Sequence, residues 1–129
     1  MSTVARILVV DDDPDMLDFT VEALNVLGHE VLSARDSQQA LDIVASGAEL
    51  KALVTDVKLP GTLDGAMLAI AVHRQLPSLP IIFVSGYAEA SIVADALKQV
   101  DGHFLPKPFR IHQIEELLTK VLAARRDGD

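Results

Sequence analysis

The sequence of 129 residues contains no cysteine, which excludes disulfides and thiolate metal sites and fits a reducing compartment. Long hydrophobic runs are missing as well. No apolar stretch approaches the roughly 18 residues of a membrane span. The N-terminal MSTVARILVV, with one arginine and a short apolar run, lacks the length of a signal peptide. The expected class is a soluble cytoplasmic protein. Positive charge is scarce: 11 Lys and Arg stand against 19 Asp and Glu, for a formal net charge of −8. Duplex nucleic acid needs a basic footprint, and the one basic cluster, Arg125–Arg126, is too small to make one. Neither nucleic acid nor a membrane is therefore an expected partner. The chain has no G-x-x-x-x-G-K-[ST] loop and no G-x-G-x-x-G after its first apolar run, which leaves out the common nucleotide-binding switches. There is also no linker, low-complexity tract or composition shift. Residues 1–129 read as one domain, with a core over about 5–124 and a polar tail, 125–129, expected to fray. No residues remain for a helix-turn-helix module, so any output is expected to pass through a partner.

What the chain does have is a repeating alternation. Half of its residues are hydrophobic, enough for one proper core. Five short apolar runs recur: RILVV (6–10), EVLSA (30–34), ALVT (52–55), IIFV (81–84) and HFLP (103–106). They are rich in Val, Ile and Leu and show no clean alternation, the pattern of strands covered on both faces in a parallel sheet. Between them lie segments of helical period at 14–27, 36–46, 64–76, 89–99 and 110–124. Pro14 suits a first helical position and Gly28 the left-handed residue just past a helix end. Asp36 or Ser37 suits a cap. The order is a strand followed by a helix, five times over, which implies right-handed crossovers and an α/β, doubly wound, five-stranded parallel sheet. A closed eight-unit barrel needs about twice the length.

In such a sheet the carboxyl ends of all strands share one rim, and ligands bind there. The first run is followed by Asp11, Asp12 and Asp13, and the third ends in Asp56. Ser85 follows the fourth, and the fifth leads to Lys107. Taken singly, each has an ordinary role: Asp13 before Pro14 as a helix cap, Asp11 and Asp12 as solvated loop charges, Asp56 as a turn cap, Ser85 as a turn residue, Lys107 as a surface charge. Together they place three acids, a hydroxyl and an ammonium on one edge. The acids need a counter-ion, and hard oxygen donors without His or Cys point to Mg²⁺. Carboxylates, Mg²⁺, Lys and Ser suit the holding of a phosphoryl group, with Asp56 as its nucleophile.

The segments VVDDD (9–13), TDVKLP (55–60), DG (64–65), VSGYA (84–88) and LPKPF (105–109), in this βα order, resemble the receiver domain of two-component response regulators over nearly the whole chain. The resemblance implies the flavodoxin-like strand order 2-1-3-4-5. It implies that Asp56 accepts a phosphoryl group from a phosphohistidine on a sensor histidine kinase or histidine phosphotransfer protein. By the same resemblance Asp12 binds Mg²⁺ directly and Asp11 largely through water. The backbone carbonyl of Lys58 is a further ligand, and Lys107 contacts the phosphoryl group. A cis bond from Lys107 to Pro108 aims that lysine. Ser85 and an aromatic on the fifth strand, here Phe104, form a switch that reshapes the face of helix 4, strand 5 and helix 5 for a downstream partner. Without the family, Phe104 reads as a core residue. Two departures stand out: Phe104 lacks the hydroxyl that many receivers carry there, and LPGTLDG (59–65) has one residue more than the commonest form. Lys58 and Tyr87 occupy positions that tune phosphoryl lifetime in the family.

Two other readings compete. One is a receiver-fold interaction module that does not depend on phosphorylation. The other is a phosphatase similar to the haloacid dehalogenases, with Asp11 as nucleophile and Asp13 as acid; it leaves Asp56 without a role and lacks a late acidic pair and a cap insertion. The favoured expectation is a signalling switch rather than an enzyme. Kinase, downstream partner and homodimer formation stay open, as does whether the chain stands alone or belongs to a hybrid kinase. His29, His73, His103 and His112 sit in no phosphohistidine-type motif and read as surface or boundary residues.

Overall fold

Strands and helices alternate as the periodicities require. The computed structural model describes residues 6–61, 63–86 and 89–128, without the side chains of residues 90, 92 and 124–128. In chain order the elements are β1 (Arg6–Val10), α1 (Pro14–Val26), β2 (Glu30–Ala34), α2 (Ser37–Ala45), β3 (Ala52–Asp56), α3 (Gly65–Gln75), β4 (Ile81–Ser85), α4 (Ala90–Gln99), β5 (Gly102–Pro106) and α5 (Ile111–Gly128). All strand pairs are parallel, in the order β2-β1-β3-β4-β5.

The continuous apolar runs have a simple cause. Successive residues of a strand point to opposite faces, and both faces of this sheet are covered. Leu8, Val10, Leu53, Ile81 and Phe83 enter one core, which Ala40 and Val44 of α2, Leu68 and Val72 of α3, and Val93 and Ala96 of α4 complete. Ile7, Val9, Val54, Ile82, Val84 and Leu105 enter the other, with Leu17 and Leu24 of α1 and Ile114, Leu118 and Val121 of α5. The central strand β3 is buried along its whole length, whereas the edge strand β2 carries exposed Glu30 and Ser33. The apolar runs are therefore strictest where neighbours lie on both sides.

Local signals set the boundaries. The Asp13 side chain accepts from the Asp15 and Met16 amides at the start of α1, and Pro14 occupies its first position, where no amide donor is needed. Gly28 has φ +91, the left-handed conformation that glycine adopts without a steric penalty. Of the two candidate caps for α2, Asp36 is the one used, accepting from the Gln39 amide. The tail differs from expectation: α5 continues through Gly128 instead of ending at 124. Ala123, Ala124, Arg125 and Arg126 all have high helix propensity, which is enough to carry the helix through a polar stretch. No helix among the described residues is long and apolar enough to cross a membrane.

Candidate functional site

The parallel order brings the carboxyl ends of β1, β3, β4 and β5 to one rim, and the expected polar residues assemble there. Asp11 leaves β1 with its amide bonded to the Ala34 carbonyl of β2 at 3.1 Å. Its Oδ1 accepts from the Asp13 amide at 3.0 Å, a local turn bond typical of aspartate. Asp12 is exposed. Asp56 ends β3 and is 9% exposed. One carboxylate oxygen from each of Asp11, Asp12 and Asp56 lies within 4.8 Å of the others.

Lys107 enters this group from the far side. Its Nζ donates to Asp56 Oδ2 at 3.2 Å and lies 3.7 Å from Asp11 Oδ2. The Lys107–Pro108 bond is cis, as the resemblance implies, and the Lys107 amide bonds to the Ser85 carbonyl at 3.0 Å. The other Asp56 oxygen, Oδ1, receives the Lys58 amide at 3.4 Å. One ammonium thus serves two buried carboxylates, with a third carboxylate beside them. The imbalance is visible in Asp11: burial pushes its pKa above the usual carboxylate value, and the Asp56 and Asp12 charges push the same way, against the Asp13 amide and Lys107.

The geometry suits a small divalent cation. An octahedral ion with oxygen bonds of about 2.0–2.1 Å spans roughly 4.2 Å between opposite ligands, a span comparable with the 4.8 Å within which these three oxygens lie. The donors are all hard oxygens, with no nitrogen or sulfur to favour a softer metal. Asp13 stands apart, because its carboxylate is engaged as the α1 cap. A carboxylate committed to amide donors in this way is ill suited to be the proton donor that a dehalogenase-type reading requires.

Ser85 is fully buried at the end of β4, its hydroxyl donating to the Gly86 carbonyl at 3.3 Å. It lies one residue beyond Val84, the partner of Asp56 across the β3–β4 ladder. Phe104 is half-buried on β5, paired in register with Phe83 and packed against the core that α2, α3 and α4 cover. Tyr87 lies outside the described residues. Of the histidines, His29, His73 and His103 are half-buried and His112 is exposed.

Two supporting residues are not evident from composition or period. A Cβ at Gly65 would overlap the Asp56 carbonyl oxygen, and the Gly65 amide bonds to the Val57 carbonyl at 2.7 Å. Glycine at this place lets α3 begin directly against the backbone of Asp56. Its signal in the sequence is a glycine at the first position of a helix that Asp64 already caps through the Met67 amide, where glycine has poor propensity. The second residue is Ser37, whose buried hydroxyl donates to the Leu63 carbonyl at 3.1 Å.

With this arrangement in view, the relatives of the chain can be placed. A family model described as the response regulator receiver domain matches residues 7–119, and the chain belongs to that family. The Brucella abortus (strain 2308) protein "Sensor kinase CckA" is 32% identical over 123 residues, which cover 95% of this chain and 13% of that protein. The transcriptional regulatory protein FixJ of Bradyrhizobium diazoefficiens is 30% identical over 122 residues, covering 95% of this chain and 58% of that one. The chain therefore spans less than two thirds of these relatives. Among solved structures, NtrX from Brucella abortus superposes with a TM-score of 0.90 at 29% identity, over 96% of this chain and 28% of that one. A receiver domain protein described as CheY-like, from Methanospirillum hungatei JF-1, gives 0.89 at 27% identity over 98% and 100% of the two chains. Proteins of two-component systems are thus the relatives of this chain.

Proposed function

We propose that the chain is a phosphoacceptor switch in which Asp56 takes a phosphoryl group from a phosphohistidine on a sensor histidine kinase or a histidine phosphotransfer protein. The observation that supports this reading is the meeting of Asp11, Asp12 and Asp56 with Lys107 at one strand-end rim. An Asp56 carboxylate oxygen attacks phosphorus, the bond from phosphorus to the histidine nitrogen breaks, and the imidazole leaves with the electron pair and takes a proton from water. Asp11, Asp12, Asp56 and the Lys58 carbonyl are the groups that would hold Mg²⁺. Bound there, Mg²⁺ supplies neutralisation of the phosphoryl oxygens. Lys107 shifts its ammonium from the Asp56 carboxylate to a phosphoryl oxygen, so a charge already held at the site meets the charge that arrives.

The output follows from Ser85 and Phe104. The Ser85 hydroxyl donates to the Gly86 carbonyl at 3.3 Å, so turning toward a phosphoryl oxygen exchanges a long neutral bond for a charge-assisted one. Inward rotation of half-buried Phe104 then alters the face formed by α4, β5 and α5, where a downstream protein docks. The phosphoryl group shifts this equilibrium only by its differential affinity for the two arrangements. The chain acts as a switch with at most self-directed phosphoryl chemistry, not as a turnover enzyme.

The test is intact-mass analysis after incubation with acetyl phosphate and Mg²⁺, followed by candidate phosphodonor proteins. One phosphoryl adduct is expected, lost in Asp56→Asn and retained, though slowed, in Asp11→Asn. A wild-type chain that takes up no adduct would overturn the proposal and leave a phosphorylation-independent module. Loss in Asp11→Asn with retention in Asp56→Asn would point to the dehalogenase-type nucleophile.

A further inference from the structure

The hydroxyl of Ser37 is buried without being needed for the helix that it begins. Asp36 already caps α2 through the Gln39 amide at 2.8 Å, and the Gln39 side chain accepts from the Arg35 amide at 2.8 Å. These bonds fix the turn between β2 and α2. Ser37, 6% exposed, directs its hydroxyl across to the Leu63 carbonyl in the segment that joins β3 to α3. A buried hydroxyl is costly unless it is paired, and this pairing joins elements 26 residues apart in sequence.

That joining segment is the one that leaves Asp56. Its base is closed by the Gly65 amide on the Val57 carbonyl, and its far shoulder is held by Ser37. Between these two fixings runs the stretch 58–61, with Gly61 at φ +96, and Lys58 is its first residue. The turn that carries Ser37 is itself tied to the acidic rim, because the Asp11 amide bonds to the Ala34 carbonyl. A chain of hydrogen bonds therefore runs from the backbone of Asp11, through the β2–α2 turn, to the segment that bears Lys58.

We infer that Ser37 is a positioning residue, which holds the β3–α3 segment so that the Lys58 backbone is presented to the same cation as Asp11, Asp12 and Asp56. The inference rests on the metal-dependent reading proposed above and adds a residue to it that touches neither metal nor phosphoryl group. Ser37→Ala keeps the Asp36 cap and places a good helix former in α2, so the variant folds. Its effect falls on the segment and on the cation.

The measurement is backbone amide NMR, first without metal and then in a Mg²⁺ titration. In metal-free Ser37→Ala, heteronuclear relaxation of residues 58–61 is expected to show larger fast motion, while Ala40–Val44 of α2 keep their order. The Mg²⁺ dissociation constant is expected to rise about three- to tenfold, the worth of one hydrogen bond. Phosphorylation by acetyl phosphate at saturating Mg²⁺ should stay within about twofold of wild type, since the reacting groups are untouched. Unchanged relaxation of 58–61, or an unchanged Mg²⁺ constant, would overturn the inference. So would loss of order in α2 itself, which would make Ser37 a merely structural residue. A wild-type chain that neither binds Mg²⁺ nor takes up phosphate is a separate outcome: it defeats the proposed function and, with it, any role for Ser37 toward a cation.

Discussion

The two rims of the sheet are both charged, and they are charged in different ways. At the amino-end rim, Arg6 of β1 faces Glu30 of β2 at 3.0 Å, with side chains 40% and 53% exposed. Glu49 and Lys51 complete a shallow polar bowl of about 180 Å³, with two charges of each sign in water. At the carboxyl-end rim, three carboxylates face one ammonium, and Asp11 and Asp56 are buried. Balanced, hydrated charge costs the fold little and contributes little. Unbalanced, desolvated charge costs stability, and it is kept where an incoming group restores the balance. The difference separates a rim whose charges balance in water from a rim that holds surplus negative charge partly out of it.

The comparison breaks most visibly if the third carboxylate is removed. Asp12 is exposed, so Asp12→Ala should leave the fold intact while Mg²⁺-dependent phosphorylation of Asp56 falls by about a hundredfold or more, since a bound cation is worth several kcal/mol of charge stabilisation. Intact-mass time courses with acetyl phosphate, beside thermal unfolding, check both halves. Full-rate labelling of that variant would mean that the acidic group does not hold the metal.

Lys107 tests the other sign. Lys107→Gln keeps a hydrogen-bond donor on a side chain one atom shorter but removes the ammonium that reaches both Asp11 and Asp56. Phosphorylation is expected to slow by about 10- to 100-fold, less than the roughly 10²–10³ for complete loss of a donor aimed at developing charge, because glutamine still donates a hydrogen bond. Binding of Mg²⁺ in the same variant should hold or strengthen, because ammonium and metal compete for the same carboxylates. Weakened Mg²⁺ binding would show that Lys107 orders the acidic group rather than competing within it.

Much of this rim is legible in the sequence, and for one reason. Once the apolar runs are read as parallel strands, the βα order alone sends Asp11, Asp12, Asp56, Ser85 and Lys107 to the same end of the sheet. Position along a strand is a one-dimensional property, and sequence reports it well. Contacts between turns of separate βα units are not one-dimensional. The Ser37 bond to Leu63 depends on how α2 settles against the segment between β3 and α3, and the close approach of Gly65 to Asp56 on how tightly that segment folds back on β3; neither leaves a periodic trace. The length of α5 is hidden for a different reason: a polar stretch of good helix formers has no apolar stripe to reveal it.

Asp11 turns the charge imbalance into a pH dependence. Its pKa is raised in the folded chain by burial first and by its acidic neighbours second, so the folded state binds a proton more tightly than the unfolded state does. Stability of the metal-free protein is therefore greatest at low pH with respect to this group. It declines as pH rises past the ordinary carboxylate value of 3.8, until the folded-state group has also ionised. Asp11→Asn keeps the oxygen that accepts the Asp13 amide and removes the charge. At neutral pH without metal it should gain on the order of 1 kcal/mol, a gain that vanishes at acid pH. Chemical denaturation across pH measures it, and added Mg²⁺ should narrow the gap by stabilising the wild-type chain. A variant less stable than wild type at neutral pH would show that the Asp11 charge is already well compensated by Lys107.

The smallest effect belongs to the opposite rim, and its smallness is the point. Removing the Arg6 charge with Arg6→Gln breaks an exposed pair and should change stability by about 0–1 kcal/mol, less at high salt. It should not change the rate at which Asp56 is labelled, since β1 carries Arg6 and Asp11 at opposite ends of the sheet. Denaturant titrations in low and high salt, with acetyl phosphate time courses on the same samples, measure both quantities. A labelling rate that moved with Arg6 would mean that charge at one rim is felt at the other, by a field or by a shift of β1. The contrast between a solvated rim and a receptive one would then have to give way to a single coupled surface.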